Sequence, residues 1–256
     1  MFLISIITVC RNAENTIAEA MTSVSEQNYK MVEHLVIDGA SSDGTVSLAH
    51  KYARPGTRIV SEPDDGIFSA MNKGLLLASG DIVGFLNADD KFADNNSLSH
   101  IAAAFSSSNI EACYGDLVYV SRNNPNKIVR YWHSGLITKR KFSFILMPAH
   151  PTFYIKRSLL KKYGLFNLNY RLSNSDFEFM LRYLLSCKIR AMYINKILVY
   201  MRTGGASNRN ILQILYQNID NLRALRRHRI TPSYLFPLGK LLVKAREYMR
   251  RPKYEG

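Results

Sequence analysis

The feature that most constrains this chain is a regular alternation across its first 90 residues, in which short apolar runs are followed by segments of helical period. Phe2–Val9 reads as a strand. Its Ile4, Ile6, Ile7 and Val9 are too densely apolar for a strand with one wet face, so burial on both faces is expected. Ala13–Glu26 sets Ile17, Ala20, Met21 and Val24 on one side of a 3.6-residue period and predicts a helix. His34–Asp38 predicts a second strand. Ser41–Ala53 opens with Ser-Ser-Asp-Gly-Thr, a helix-start signal, and predicts a second helix. Arg58–Ser61 and Asp81–Leu86 predict two more strands, with a helix over Ile67–Ala78 between them. Strands alternating with helices at this spacing define the α/β class, a mostly parallel sheet flanked by helices.

The rest is less regular. Ala112–Val120 and Lys127–Trp132 predict a hairpin or edge strands around the turn Asn123-Asn124-Pro125-Asn126. Arg157–Tyr163 and Ser175–Ser186 predict helices, and Ile189–Ile194 and Ile197–Tyr200 two short strands. From Asn210 onward the pattern is helical, with Ile211, Leu215, Ile219, Leu222 and Leu225 on one stripe and a second helix from about Leu238 to Arg250. The expected division is a core domain over 1–208, with one half over about 1–115 and another over about 116–208, followed by a basic helical tail over 209–256.

A chain of 256 residues with 47% hydrophobic and 21% charged residues is a foldable composition. No apolar run reaches the ~18 residues of a membrane span, and the N-terminus lacks a basic region and a cleavage site, so no secretory signal is expected. Cys10, Cys113 and Cys187 are scattered, which supports neither a disulfide framework nor a zinc site and suits a reducing cytoplasm. The charge is split: residues 1–120 hold 7 Lys/Arg against 15 Asp/Glu, whereas residues 121–256 hold 27 against 5. An acidic first half joined to a basic second half implies two different tasks.

In an open α/β sheet, ligands bind beyond the carboxyl ends of the strands. The first strand ends in Thr8-Val9-Cys10-Arg11-Asn12, the second in Asp38-Gly39-Ala40-Ser41-Ser42-Asp43, and the fourth in Asn87-Ala88-Asp89-Asp90. Two acidic clusters therefore share one rim. Asp43 reads equally well as a helix cap, whereas Asp38, at the strand end and followed by glycine, reads as functional. Neither GxGxxG after the first strand nor GxxxxGK[ST] is present, which removes the main support for dinucleotide oxidoreductases and P-loop enzymes. Asn-Ala-Asp-Asp instead offers hard oxygen donors suited to Mg²⁺ or Mn²⁺ shared with a diphosphate, and so points to a nucleoside-diphosphate ligand.

The ordered series SIITVCRNAENTI, SVSEQNY, HLVIDGASSDGT, SEPDDGIFSAMNKGLLLASGD, GFLNADD, HPTFYIKRSLLKKYGLFN and SDFEFMLR resembles the bacterial family 2 glycosyltransferases of the GT-A fold, over roughly residues 3–205. These enzymes build capsules, O-antigens and exopolysaccharides. The resemblance implies that Thr8 borders the base of a nucleotide sugar, probed first as a UDP-sugar, and that Asp38 bonds the base or ribose. It places Asp89 at the last position of a DxD-type metal motif and Asn87 at the first, where many relatives have Asp. It makes Asp176 the catalytic base in preference to Glu178, which is put on the acceptor side with His150. Lys73 and Arg202 become candidates for the diphosphate, with a solvated surface role as the alternative, and a structural histidine is the alternative for His150. One base without a nucleophilic partner implies inversion at the anomeric carbon. Processive relatives carry QxxRW and membrane helices. Here the single tryptophan is Trp132, in Tyr-Trp-His, so transfer of one sugar is expected.

From Arg223 to Gly256 there are 10 Lys/Arg and 2 Asp/Glu, and Leu238, Leu241, Leu242, Ala245, Tyr248 and Met249 share one helical face, with Lys240, Lys244, Arg250 and Arg251 flanking or opposite. Two readings follow. The helix packs its apolar face on the core, or it anchors the protein on an anionic membrane surface, which suits a glycan or polyprenyl-diphosphate-linked acceptor at the cytoplasmic face of the inner membrane. Two rival classes remain: a non-catalytic nucleotide-sugar-binding scaffold, which retention of Asp38, Asp89 and Asp176 argues against, and a nucleic-acid binder, which the acidic crevice argues against.

Overall fold

The computed structural model describes residues 1–107, 109–170, 174–204, 211–233 and 235–249. Four strands form the parallel part of the sheet: β1 (Ile4–Cys10), β2 (Val32–Asp38), β3 (Arg58–Ser61) and β4 (Ile82–Phe85). β1 pairs in parallel with β2 and β4, and β2 with β3. β1 is buried along its whole length, as its apolar density requires. Three helices connect these strands: α1 (Ile17–Ser25), α2 (Thr45–Lys51) and α3 (Ile67–Leu77). α1 buries Ile17, Ala20, Met21 and Val24, the predicted stripe.

Beyond β4 the pairing is mixed. The described strands run in the order β3-β2-β1-β4-β8-β6-β9-β5, with β7 also on β6. Here β5 is Asp90–Phe92, β6 Ala112–Val120, β7 Ile128–Trp132, β8 Tyr154–Lys156 and β9 Ala191–Arg202. β8 runs antiparallel to both β4 and β6, so β6 points the same way as β4. β9 is parallel to β6. The carboxyl ends of β1, β2, β4, β6 and β9 therefore face one rim. β6 and β7 form the predicted hairpin.

The second half corrects several expectations. The two short strands expected over 189–200 are one strand, β9; its register against β6 slips around Asp116, and Asn195-Lys196 is the polar bulge that made the pattern look broken. The division at 115/116 falls inside β6, so the two halves share one sheet. Helix α4 (Ser97–Phe105) and strands β5 and β8 were not expected. The helix expected over 175–186 is α7 (Ser175–Leu181), continued by a wider π turn over Arg182–Ser186. Short helices α5 (Lys139–Ser143) and α6 (Ser158–Tyr163) complete this region.

The tail is helical, as α8 (Ile211–Arg227) and α9 (Phe236–Met249). The boundary near 208 and the side chains of Ile211, Leu238, Lys240, Arg250 and Arg251 lie outside the described residues. On α8, Leu225 is buried in the core while Leu215 and Ile219 of the same stripe are exposed. On α9, Leu241, Leu242 and Met249 are 65%, 64% and 77% exposed. Its buried side carries Glu247, which pairs with Arg130 at 2.6 Å, while the Arg130 guanidinium lies over the rings of Tyr119 and Trp132. The described apolar face of α9 thus turns outward and does not complete the core.

Candidate active site

The rim over β1 and β2 is built around Asp38. Register places Cys10 beside Asp38 and Asp38 beside Ser61. Asp38 is 1% exposed and accepts hydrogen bonds from the Ser41 backbone N–H (2.9 Å), the Ser41 hydroxyl, the Ser61 hydroxyl (2.7 Å) and the Cys10 thiol (3.5 Å). Burial alone would raise its pKa; these donors outweigh it and hold the carboxyl below its usual range. Asp38 therefore fixes the loop that follows it, and a base or ribose would have to share oxygens already bonded. Thr8 departs from expectation. It is fully buried and its hydroxyl bonds His34 Nε2 at 3.0 Å, so its side chain serves the interior and only the backbone beyond it can border a base. Asp43 accepts from the backbone N–H groups of Thr45 and Glu14 and closes the loop ahead of α2.

Two non-glycine residues at this rim, Asn12 and Ala40, have φ near +50°. Such strain is kept only where the surroundings enforce it, and it clusters at functional loops. Gly39 lies close to both neighbours: a Cβ there would displace the Asp64 carboxylate and touch Arg11. Asp64 and Arg11 therefore belong to the rim. Lys73 does not stand free for a diphosphate, since its ammonium pairs with Glu62 at 2.7 Å.

The turn after β4 forms the second cluster. Antiparallel pairing of β5 with β9 sets Asp90 beside Met201 and brings Arg202 to the Asn87-Ala88-Asp89-Asp90 turn. A narrow cleft here is lined by Glu19, Asp89, Asp90, Lys91, Tyr200 and Arg202, among others. Arg202 forms an ion pair with Glu19, so it faces the cleft already partnered. Asp90 is buried and accepts a hydrogen bond from the Asn87 amide at 3.0 Å, with the Arg202 backbone N–H also on its carboxylate. Burial, then the neighbouring Asp89 charge, push its pKa well up. Asp89 is also raised by burial, against the pull of Arg122 and Arg202. Asn87 Oδ1 and Asp90 Oδ1 are buried oxygens without a hydrogen-bond partner. Orphaned hard oxygens beside a half-buried carboxylate suit a divalent cation. Among the described residues no three His, Cys, Asp or Glu side chains cluster as a self-sufficient metal site.

The third element is α7. Asp176 lies in its first turn, half-buried, with one oxygen accepting from the Phe177 N–H at 2.7 Å. Burial raises its pKa to about 7, against the weaker pull of that hydrogen bond. Glu178, two residues on, is directed elsewhere. It is 2% exposed and bonded to Arg182 (3.1 Å) and to His228 at the end of α8 (2.9 Å). Glu178 thus ties α7 to the tail and is not an acceptor-side group, a correction that follows from the roughly 200° turn separating helix positions i and i+2. His150 is buried against Phe85 (5.4 Å) and Phe166 (5.7 Å), and burial lowers its pKa to about 4. Phe166 stacks in turn on Phe179 of α7 at 4.4 Å, so an aromatic chain joins the end of β4 to the helix bearing Asp176. His150 is a neutral member of that chain, which is the structural reading.

The sequence assigned no individual role to Asp90 or Arg11, and did not single out Asp64 or Asp116. Asp116, in mid-β6, is 1% exposed and is bonded by Tyr193 (2.9 Å), Tyr131, the Ser134 N–H (2.8 Å) and His133 Nδ1 (3.0 Å). An Asp inside an apolar strand pattern was the available signal.

A mixed α/β sheet with acidic strand ends on one rim, and a carboxylate of raised pKa on a helix that an aromatic chain joins to the end of β4, fits a GT-A transferase. Residues 5–164 match the profile of glycosyl transferase family 2, and the chain belongs to that family. A PGL/p-HBAD biosynthesis glycosyltransferase of Mycobacterium bovis is 27% identical over 211 residues, covering 80% of this chain and 79% of that protein. TuaG of Bacillus subtilis, a glycosyltransferase named for teichuronic acid biosynthesis, is 36% identical over 93 residues, 35% of this chain and 37% of its own. Among solved structures, S. aureus TarS superposes with a TM-score of 0.65 at 20% identity, over 88% of this chain and 38% of TarS. Its 1–349 fragment, solved with UDP-GlcNAc, gives 0.63 at 18% identity over 96% and 78%. The mannosyltransferase PcManGT of Pyrobaculum calidifontis, solved with GDP-Man and Mn²⁺, gives 0.61 at 20% identity over 97% and 70%. At these identities the structural likeness carries the fold.

Proposed function

We propose that this glycosyltransferase moves one sugar from a nucleoside-diphosphate sugar, in the first instance a UDP-sugar, to a hydroxyl of a glycan or lipid-linked acceptor with inversion, in bacterial surface polysaccharide biosynthesis. The observation that carries the mechanism is Asp176, a carboxylate with a pKa of about 7 in the first turn of α7. A base poised near ambient pH removes the acceptor proton as the C–O bond forms, a contribution of ~10²–10⁴-fold. The acceptor oxygen attacks the anomeric carbon, the bond to the diphosphate breaks, and the configuration inverts.

Asp89, with Asn87 supplying a neutral oxygen, would hold Mg²⁺ or Mn²⁺; when bound, the ion supplies charge stabilisation for the departing diphosphate. Asp90 and Arg202 border that position, and Arg202 can turn from Glu19 to the diphosphate. The TarS and PcManGT complexes, with UDP-GlcNAc and with GDP-Man and Mn²⁺, support a nucleotide-sugar donor and a divalent ion.

The outward apolar face of α9 and its basic neighbours support contact with an anionic membrane surface. No described helix is long and apolar enough to cross a membrane. A panel of UDP- and GDP-sugars, read by donor hydrolysis and ligand-induced Tm shifts, tests the donor. The anomeric configuration of the product, read by NMR, tests inversion. Absence of both hydrolysis and shifts across the panel would favour the scaffold reading.

A further inference from the structure

Helices α5 and α9 do not pack flush. Between them lies an open groove of about 450 Å³. Its walls have two chemistries. Phe144, Leu242 and Val243 are apolar; Arg140, Lys141 and Thr138 offer two cations and a hydroxyl, and among the described lining residues there is no acidic side chain. α9 reaches this wall because it carries Gly239, where a Cβ would overlap the Phe144 ring. Lys141 is half-buried, with its ammonium donating to the Ser134 carbonyl at 2.8 Å. An ammonium has three donors, so others remain for a ligand. Burial lowers the Lys141 pKa despite the nearby Asp116, which means a second anion here would relieve a desolvated cation.

The surroundings bear on what would enter. Leu136, Leu235 and Leu241 are exposed apolar side chains on the segments around the groove. On the other side, Phe142 of α5 packs edge-on against Phe177, the residue after Asp176, at 5.7 Å. The groove therefore lies one helix away from the carboxylate assigned to the acceptor hydroxyl. Its volume is at the small end of ligand sites and suits one chain with its head group.

We propose that the groove between α5 and α9 binds the phosphate and first carbons of the lipid carrier that bears the acceptor, with Arg140 and Lys141 on the phosphate and Phe144, Leu242 and Val243 along the chain. This deepens the acceptor reading above and rests on it. The site distinguishes a lipid phosphate from a free glycan, which has no apolar chain, and from a neutral lipid, which has no anion.

The test uses the full chain, with farnesyl phosphate below its aggregation concentration as the probe, followed by calorimetry. The expected result is saturable binding of one molecule, weakened at least 10-fold by Arg140→Glu, abolished by Val243→Trp, and at least 10-fold weaker for farnesol. Arg140 is exposed, so its variant is expected to fold, and an unchanged melting curve verifies that. No saturable binding, or binding that neither variant alters, overturns the proposal. Equal affinity for dihexanoyl phosphatidylglycerol also overturns it, because the groove would then be a site for bilayer phospholipid. Competition by inorganic phosphate alone at similar concentration overturns the role of the chain. UDP-sugar hydrolysis and UDP-induced Tm shifts on the same preparation separate the two readings. If they persist while farnesyl phosphate fails, the groove proposal alone falls; if they fail while farnesyl phosphate binds, the transferase mechanism falls and the groove stands.

Discussion

Replacing Asp176 by Asn should inactivate the protein and at the same time stabilise it, with a pH dependence that identifies the group. In the folded chain the Asp176 carboxyl titrates at about 7, against 3.8 for a free side chain. At ~1.36 kcal/mol per unit this is roughly 4 kcal/mol, and solvent access to a half-buried group reduces it to about 2 kcal/mol. The sign follows from linkage. Between about pH 4 and pH 7 the native state holds a proton that the unfolded chain has released, so stability falls as pH rises through that window and levels off above it. Asn carries no such cost. At pH 8.5 the Asn variant should therefore melt above wild type by about 4 °C, given an unfolding entropy of ~2.1 cal/mol/K per residue. Below about pH 3, where the carboxyl is mostly protonated in both states, the difference should vanish. Over the same range wild-type kcat should rise through a pKa near 7, while the variant loses at least ~10²-fold in kcat with nucleotide-sugar affinity near wild type. Differential scanning calorimetry across pH, paired with donor-transfer kinetics, reads both quantities. Near-normal turnover would remove Asp176 as base, and equal melting temperatures at pH 8.5 would show that its carboxyl is not desolvated.

Four further outcomes follow from other contacts. Asp89→Ala should abolish any tightening of UDP binding by Mn²⁺ or Mg²⁺ in calorimetry, and equal wild-type affinity in excess chelator would remove the ion from the mechanism. Glu178→Ala leaves Arg182 and His228 without their buried partner and should cost ~3–5 kcal/mol in urea unfolding, whereas a loss of kcat at full stability would return Glu178 to the acceptor site. Gly84→Ala places a methyl group inside the Tyr154 ring and should cost at least ~1–3 kcal/mol or prevent folding, as read by soluble yield and Tm. Truncation after about residue 232 removes α9 with its Arg130–Glu247 pair and should leave a folded protein of lower Tm that no longer sediments with anionic vesicles; insoluble truncated protein together with an intact chain that ignores vesicles would refute the membrane reading.

The first half of the fold was legible because parallel strands buried on both faces must be densely apolar, and their connecting helices must show one stripe. β1, β2 and β4 follow the first rule and α1 to α3 the second, while β3 is a partly exposed edge strand; each predicted boundary lies within a few residues of the observed one. The second half was less legible because its strands answer to several partners at once. β6 pairs with β7, β8 and β9, and the polar pair Asn195-Lys196 sits where β9 bulges past Asp116. No local period encodes that arrangement. At the site, the positions of Asp38, Asp89 and Asp176 followed from strand ends and motif order, but their environments did not. That Thr8 faces inward to His34, that Lys73 and Arg202 meet Glu62 and Glu19, and that Glu178 bonds the tail are consequences of pairing between distant segments.

The pairing of those cations bears on how the donor is recognised. The first 120 residues carry twice as many acidic as basic side chains, yet they form the rim assigned to an anionic ligand. Such a rim cannot attract a diphosphate by bulk charge. Its acidic groups are held by donors, as at Asp38, or raised by burial, as at Asp89 and Asp90, so the local field is weaker than the count implies. An arriving divalent ion would reverse the sign at the Asn87–Asp90 turn, and Arg202, from the basic half, already lies there paired with Glu19. The diphosphate would then replace Glu19 as the partner of Arg202. On this reading Glu19→Gln releases Arg202 and should tighten UDP binding measured without a divalent ion, while leaving the increment contributed by Mn²⁺ in place. Weaker UDP binding in Glu19→Gln would show instead that the ion pair holds Arg202 where the ligand needs it.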